Sequence, residues 1–175
     1  MTNPFQALSL PVSFDVDLSL AHQRYIAASA ANHPDRFTDP LDQADAAERS
    51  AVINDAYRTI KDPASRAEAL LALLGGPAKE SDKSLPPDLL MEMMEAREGL
   101  DEAKDTGDQS QINKWRDWAT QRHDVHLSRI AELFGQLQPP GQPQDTTQSA
   151  SRATLKAVRV ELNALRYFER MIQEG

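Results

Sequence analysis

The first residues whose types and spacing can do chemistry are His33, Pro34 and Asp35, in succession. Proline has no amide hydrogen and disfavours helical geometry in the residue before it, so a helix must end at this point. We therefore expect Asp35 to lie on a rigid turn as an ionised carboxylate, suited to an arginine of another protein. His33 can orient the turn or donate to the same partner. The alternative is that Asp35 only caps a helix and His33 has no role.

Two other clusters of titratable residues are weaker candidates. His123 and His126 can share one helix face as metal ligands, but the sequence offers no evident third ligand, and an exposed or capped histidine pair is the simpler interpretation. Asp101, Glu102 and Asp105 resemble an acid/base cluster, yet no nucleophile or phosphate-binding loop accompanies them. We predict that the chain is not an enzyme and holds no metal or cofactor. A metal-dependent helical hydrolase using the histidine pair is the competing hypothesis.

Composition excludes several classes of function. The chain has 175 residues, with 19 Lys and Arg against 27 Asp and Glu, a net charge of −8 that argues against nucleic-acid binding. It has no cysteine, so disulfides, thiolate metal sites and cysteine-held iron–sulfur clusters are excluded. Without a signal-peptide pattern or a long apolar run, we expect a cytoplasmic protein with no membrane contact. Few β-branched runs favour an all-α fold.

Hydrophobic spacing and capping residues predict the helices that position the tripeptide. Apolar residues three and four apart predict a helix from Asp17 to about Asn32 and a second helix over residues 41–61, antiparallel to the first if the loop is short. Asp62-Pro63 begins a third helix, which Gly75-Gly76-Pro77 ends.

A segment rich in Ser, Lys, Asp and Pro separates two halves of the chain. We predict an N-terminal domain over residues 1–77, a linker over 78–86 and a C-terminal domain over 87–175. The C-terminal half has three long amphipathic segments, which predict a three-helix bundle over about 87–104, 109–137 and 151–174. The Pro-rich segment 138–144 is expected to be non-helical and mobile.

The first and last helices of this bundle each carry two apolar faces. In the first, Leu90, Met91 and Met94 lie opposite the core stripe, where a bundle helix should be polar. In the last, a second stripe likewise faces away from the core stripe; it consists of Val160, Ala164, Tyr167 and Met171. We predict that the two extra faces meet in an exposed apolar patch with a polar rim, as in a protein-binding site. The alternative is that these faces pack against the N-terminal domain or are simply buried.

Together these features resemble the J-domain proteins, and in particular the HscB-type co-chaperones of iron–sulfur cluster assembly. J-domains carry the same tripeptide between two antiparallel helices and dock on an ATPase chaperone of the DnaK class. The stretches that match the HscB type, in the family's order, are Asn3-Pro4-Phe5, His33-Pro34-Asp35-Arg36-Phe37, Ile53-Asn54-Asp55-Ala56-Tyr57, Lys61-Asp62-Pro63, Arg66-Ala67, Leu90-Met91-Glu92 and Arg97-Glu98.

The resemblance implies an all-α fold in which a J-domain helical hairpin precedes a three-helix bundle. It implies a co-chaperone that stimulates the ATPase of an HscA-type chaperone and delivers the IscU-type scaffold protein to it. The residues that match the family's chaperone-binding positions are Arg24, His33, Pro34, Asp35 and Arg36. Those that match its scaffold-binding positions are Leu90, Met91, Met94, Glu95, Arg97, Glu98 and Tyr167.

The helix before the tripeptide departs from the J-domain pattern. J-domains carry several basic residues there, whereas Arg24 is the only Lys or Arg between Asp17 and His33, with Arg36 just after the motif. We expect weak electrostatic steering towards the chaperone as a result. The departure leaves open a third hypothesis, a J-like scaffold that binds a client without stimulating an ATPase.

Overall fold

The computed structural model describes residues 3–137 and 148–174. Within these ranges the regular structure is entirely helical, with one 3₁₀ turn at Pro34–Arg36. The α-helices are α1 (Pro4–Ala7), α2 (Leu18–Ala31), α3 (Pro40–Lys61), α4 (Pro63–Leu73), α5 (Pro87–Thr106), α6 (Gln109–Gly135) and α7 (Gln148–Glu174). The predicted all-α fold, a hairpin followed by a three-helix bundle, is confirmed.

The described residues form two compact units. Residues 3–75 make the N-terminal unit, which contains α1 to α4, and residues 76–137 with 148–174 make the C-terminal unit, which contains α5 to α7. Among the described helices, none combines the length and apolar character needed to span a membrane.

Contacts between α2 and α3 define the N-terminal hairpin. The rings of Tyr25 and Tyr57 stack with centroids 4.3 Å apart, and the Tyr25 hydroxyl donates to Asn54 Oδ1 at 3.0 Å. Further along α2, the Ser50 hydroxyl donates to the Asn32 carbonyl at 2.7 Å. Residues later in the α2 segment thus contact residues earlier in α3, so the two helices are antiparallel. The tripeptide therefore lies at the closed end of a hairpin.

The short helix α1 is an element that the hydrophobic pattern does not predict. Four residues are too few to show a period, and the local signal is limited to Asn3, which accepts from the Phe5 amide at 3.0 Å, followed by Pro4. Phe5 and Leu8 are almost fully buried and pack in the core of the N-terminal unit. This N-terminal segment is thus part of the hairpin's core.

The three helices of the C-terminal unit have ends close to the predicted ones. α5 continues to Thr106, and Gly107 ends it in the left-handed conformation at φ 67°. Asp108 then caps α6, accepting from the Ser110 amide at 3.0 Å. The segment predicted to be mobile, 138–144, lies outside the described residues.

The predicted exposed second face of α7 is wrong. Ala164 and Met171 are 0% and 1% exposed, and they belong to the same buried cluster as Met93 and Leu100 of α5. The reason is that α7 is covered from several directions: α6 packs along it, side chains of α5 reach it, and the segment before α5 is bound to it. In that last contact Asn163 Nδ2 donates to two backbone carbonyls, those of Asp82 at 3.1 Å and Ser84 at 3.2 Å.

Candidate functional site

The loop between α2 and α3 presents His33, Pro34, Asp35 and Arg36, which we call the HPD turn. His33 caps the 3₁₀ turn, and its Nδ1 accepts a hydrogen bond from the Asp35 amide at 3.3 Å. A neutral His33 therefore carries its proton on Nε2, where it can donate to a partner. The Asp35 side chain is 88% exposed. The Asp35 carboxylate is therefore accessible to a partner protein, and the backbone that carries it is already ordered.

The capping role considered for Asp35 belongs to other residues. His33 caps the 3₁₀ turn, and the N-cap of α3 is Asp39, whose carboxylate accepts from the Leu41 amide at 2.8 Å. Asp35 Oδ2 lies 3.6 Å from His33 Nδ1, a contact within the exposed turn itself. The local geometry thus does not use Asp35 as a helix cap.

Side chains of α3 hold the HPD turn from both ends. At its start, Arg49 Nε donates to Asn32 Oδ1 at 2.9 Å, and the Ser50 hydroxyl donates to the Asn32 carbonyl. At its end, Gln43 Nε2 donates to the Phe37 carbonyl at 2.8 Å, and the Arg49 guanidinium lies over the Phe37 ring. The sequence pattern does not identify these bracing residues. Gln43 and Ser50 are seven apart and share a helix face, but only the fold shows that this face meets the turn.

The two arginines assigned to chaperone binding occupy different positions. Arg36 Nη1 donates to the Ala30 carbonyl at 3.3 Å, so it caps the carboxyl end of α2. Arg24 is exposed on α2, more than two helical turns before His33. The guanidinium of Arg36, within the HPD turn, thus already uses part of its hydrogen-bonding capacity on the helix end, and that of Arg49 is engaged beside the turn.

On α5 the second apolar face is exposed, and we call Leu90, Met91 and Met94 the apolar patch. Their exposed fractions are 48%, 59% and 56%, whereas Met93 and Leu100 on the core side of the same helix are 1% and 0% exposed. The patch covers an arc of about 100° of the helix. Three large apolar side chains so exposed on one helix indicate a surface that binds another protein.

The rim of the apolar patch is acidic on one side and occupied by an ion-pair network on the other. Glu95 and Glu98 are exposed. Arg97 donates from Nε to Asp101 Oδ2 at 3.1 Å and from Nη1 to Glu174 Oε2 at the end of α7. These two hydrogen bonds raise the pKa of Arg97. Arg97 thus joins α5 to α7, and a carboxylate of any other molecule would have to compete with two acids already bound to it.

Tyr167 lies half-buried between α5 and α7. Its hydroxyl donates to the Met93 carbonyl, and its ring meets Phe168 edge-on, with centroids 5.7 Å apart. Burial raises the pKa of Tyr167. Tyr167 contacts α5 on the side of the helix that faces the bundle core, and only part of its own side chain is exposed to solvent. Of the predicted scaffold-binding residues, α5 gathers five on one exposed face, while Arg97 and Tyr167 form the links to α7.

The histidine pair differs from the expectation of an exposed or capped pair. His126 is 4% exposed; its ring stacks on Phe168 and its Nδ1 is hydrogen-bonded to Glu161 of α7. His123 instead contacts the neighbouring Asp124, with Nδ1 3.1 Å from Oδ1. In the described parts of the chain, no group of three or more His, Asp or Glu is arranged to hold a metal ion. His126 is a core residue of the bundle.

Comparison with known proteins gives consistent results for sequence and fold. Residues 85–174 match the family described as the HSCB C-terminal oligomerisation domain. The chain is 38% identical over 136 residues to the co-chaperone protein HscB homolog of Haemophilus influenzae, covering 75% of this chain and 78% of that protein. The homolog of Vibrio cholerae is 38% identical over 141 residues, covering 77% and 80%.

Solved structures of HscB proteins have the same fold as this chain. The chaperone HscB from Vibrio cholerae superposes with a TM-score of 0.74 at 30% identity, covering 99% of this chain and 94% of that one. The human co-chaperone protein HscB shares the fold, with a TM-score of 0.80 at 22% identity, covering 99% and 80%. The names of these relatives are those of a chaperone or co-chaperone, and none is named as an enzyme. The chain, with its J-domain hairpin and three-helix bundle, belongs to the HscB family of co-chaperones.

Proposed function

We propose that this protein stimulates the ATPase of an HscA-type chaperone of the DnaK class and delivers an IscU-type scaffold protein to it during iron–sulfur cluster assembly. In this proposal residues 1–77 act as the J-domain, 78–86 as the connection and 87–175 as the client-binding bundle. The protein acts in the cytoplasm, needs no cofactor and makes no covalent bond itself. The observation that carries the proposal is the HPD turn, with Asp35 88% exposed on a braced backbone.

The HPD turn is suited to an arginine on the chaperone. The Asp35 carboxylate can accept both arms of a guanidinium, and the Nε2 hydrogen of neutral His33 adds a donor beside it. Because Gln43, Arg49 and Ser50 already hold the loop, little conformational entropy is lost when the partner binds. Binding energy at the turn is therefore available to favour the hydrolysis-competent state of the chaperone.

The apolar patch is suited to the client. A scaffold surface with apolar groups at its centre and basic groups towards Glu95 and Glu98 would complement it. Flexible methionine side chains can adapt to such a surface. Since both sites are on one chain, a bound client is held at high effective concentration near the chaperone that the HPD turn engages.

A second candidate function is a J-like scaffold that binds the client and does not stimulate hydrolysis. The observation that favours it is the scarcity of basic residues on α2, where Arg24 is the only Lys or Arg. With Arg24 as the only basic residue on α2, association with an acidic chaperone surface is slow and depends little on salt.

The test is the steady-state ATPase rate of an HscA-type chaperone with the scaffold protein present. We expect stimulation by the wild-type chain, none by Asp35→Ala, and full stimulation by Asp45→Ala, which removes another exposed acid of the same unit. If the wild-type chain binds the scaffold yet leaves the rate unchanged, the second candidate is correct. If Asp35→Ala stimulates as well as the wild type, the HPD turn is not the trigger.

A further inference from the structure

We propose that Met91 and Met94 are a peroxide-sensitive modification site, and that their oxidation to sulfoxides releases the client from the apolar patch. The inference rests on the proposed function of that patch as the client surface.

Exposure separates these two methionines from the others that the structure describes. Met91 and Met94 are 59% and 56% exposed, whereas Met93 and Met171 are each 1% exposed in the core of the C-terminal unit. Thioether oxidation requires the oxidant to approach the sulfur, so the two exposed residues react first. The chain has no cysteine, so no thiol of its own competes for the oxidant.

The reaction is a two-electron oxygen transfer. The thioether sulfur attacks one oxygen of hydrogen peroxide, the O–O bond breaks, the attacked oxygen becomes the sulfoxide oxygen, and the other leaves as water. The sulfur is oxidised and the peroxide reduced, and the step has no net change in protons. A thiol-dependent methionine sulfoxide reductase reverses it, so the modification can act as a switch.

The surroundings of the two methionines make the sulfoxide unfavourable at an interface. The new oxygen is a hydrogen-bond acceptor, yet the neighbouring Glu95 and Glu98 are acceptors too when ionised. Arg97, the cation nearest in sequence, already donates to Asp101 and Glu174. A client that covers the patch must therefore desolvate this polar oxygen, and the apolar groups at the centre of its own surface offer no donor in return. We expect the affinity for the scaffold to fall roughly 5- to 100-fold.

The experiment treats the full-length chain with hydrogen peroxide, removes the peroxide, and then measures two quantities. Peptide mass spectrometry locates each added oxygen, and calorimetric titration with the IscU-type scaffold gives the affinity. We expect sulfoxides at Met91 and Met94 before Met93 and Met171, and a weakened titration that a sulfoxide reductase restores. The double variant Met91→Leu/Met94→Leu has no thioether in the apolar patch; whatever affinity it shows before treatment is its own reference, and peroxide should leave that affinity unchanged. Circular dichroism before and after treatment checks that the helices remain.

Three results would overturn the inference. The first is oxidation of Met93 and Met171 as fast as that of Met91 and Met94 while the helices remain intact, and the second is sulfoxide at Met91 and Met94 with an unchanged affinity for the scaffold. The third is a loss of scaffold affinity after peroxide in the double variant that equals the loss in the wild-type chain. Failure of the untreated wild-type chain to bind the scaffold would instead contradict the proposed function of the patch. The two failures are thus distinguishable in one set of titrations.

Discussion

The hydroxyl of Tyr167 on α7 donates a hydrogen bond to the backbone carbonyl of Met93 on α5. Met93 is on the core side of the helix that carries the apolar patch on its other side. The bond therefore fixes the position of α5, and with it the patch, relative to the centre of the bundle. An oxygen that has lost its hydrogen cannot make this bond, which gives the contact a dependence on pH.

Tyr167→Phe should lower the free energy of unfolding by about 1 kcal/mol at neutral pH, since it removes one partly buried hydrogen bond. Burial raises the pKa of Tyr167 in the folded chain above its ordinary value of 10.0. The stabilisation is therefore fully present below pH 10 and is lost as the pH rises through the folded-state pKa. Urea unfolding of both proteins from pH 7 to 11 should show their difference shrinking above about pH 10. A difference that stays constant throughout would show that Tyr167 does not titrate as proposed.

Ser50→Ala should weaken ATPase stimulation without changing a residue assigned to the chaperone contact. The variant removes the hydrogen bond to the Asn32 carbonyl at the start of the HPD turn, so the turn must be ordered during binding. At sub-saturating concentrations we expect stimulation to fall about two- to tenfold.

The concentration that gives half-maximal stimulation is the quantity to measure for Ser50→Ala. Ser50→Thr retains the hydroxyl and should restore most of the effect, while Asp45→Ala on the same helix should behave as wild type. Equal stimulation by Ser50→Ala and wild type would mean that the brace is dispensable.

Gly99→Ala should destabilise the C-terminal unit although alanine favours helices. A Cβ at Gly99 would lie 2.4 Å from Cζ2 of Trp115, and that ring in turn packs edge-on against Trp118. Overpacking of this kind costs about 1–3 kcal/mol, and the intrinsic gain from glycine to alanine recovers about 1 kcal/mol at most.

Gly135→Ala is the matched control for this substitution. Gly135 is the last residue of α6, and apart from its chain neighbours and the backbone of its own helix, an added Cβ there would have no atom of the described chain within 4 Å. Thermal or urea unfolding should show a loss for Gly99→Ala only. If Gly99→Ala and Gly135→Ala have the same free energy of unfolding, the Trp115 side chain can shift to make room for the added Cβ at no cost in stability.

Leu90→Ala should weaken scaffold binding while leaving the fold intact. Leu90 is 48% exposed, so its truncation should change the free energy of unfolding by less than about 0.5 kcal/mol. Loss of its apolar area from an interface should reduce affinity about 5- to 30-fold. Val125→Ala, an exposed apolar residue on α6, should leave affinity unchanged in the same titration. If Leu90→Ala and Val125→Ala change the scaffold affinity equally, the scaffold does not bind at the apolar patch.

Local rules account for the parts of the fold that the sequence predicts well. The α2 boundary depends on Asp17, whose carboxylate caps the helix, and on Pro34, which cannot continue one. The second apolar face of α5 follows from helical spacing alone, and its exposure agrees with the prediction. The same reasoning fails for α7, where Ala164 and Met171 are buried. Spacing identifies which residues share a face but not what packs against it.

The sequence by itself determined the six longer helices, α2 to α7, the approximate positions of their ends and the residues able to do chemistry, because caps, prolines and helical periods act over a few neighbouring residues. The tertiary structure alone decided that Ser50 braces the HPD turn, that His126 is a core residue, and that Tyr167 holds α5 in place. Each of these depends on contacts between helices far apart in the chain. Such contacts follow from how whole faces pack together, which no local pattern specifies.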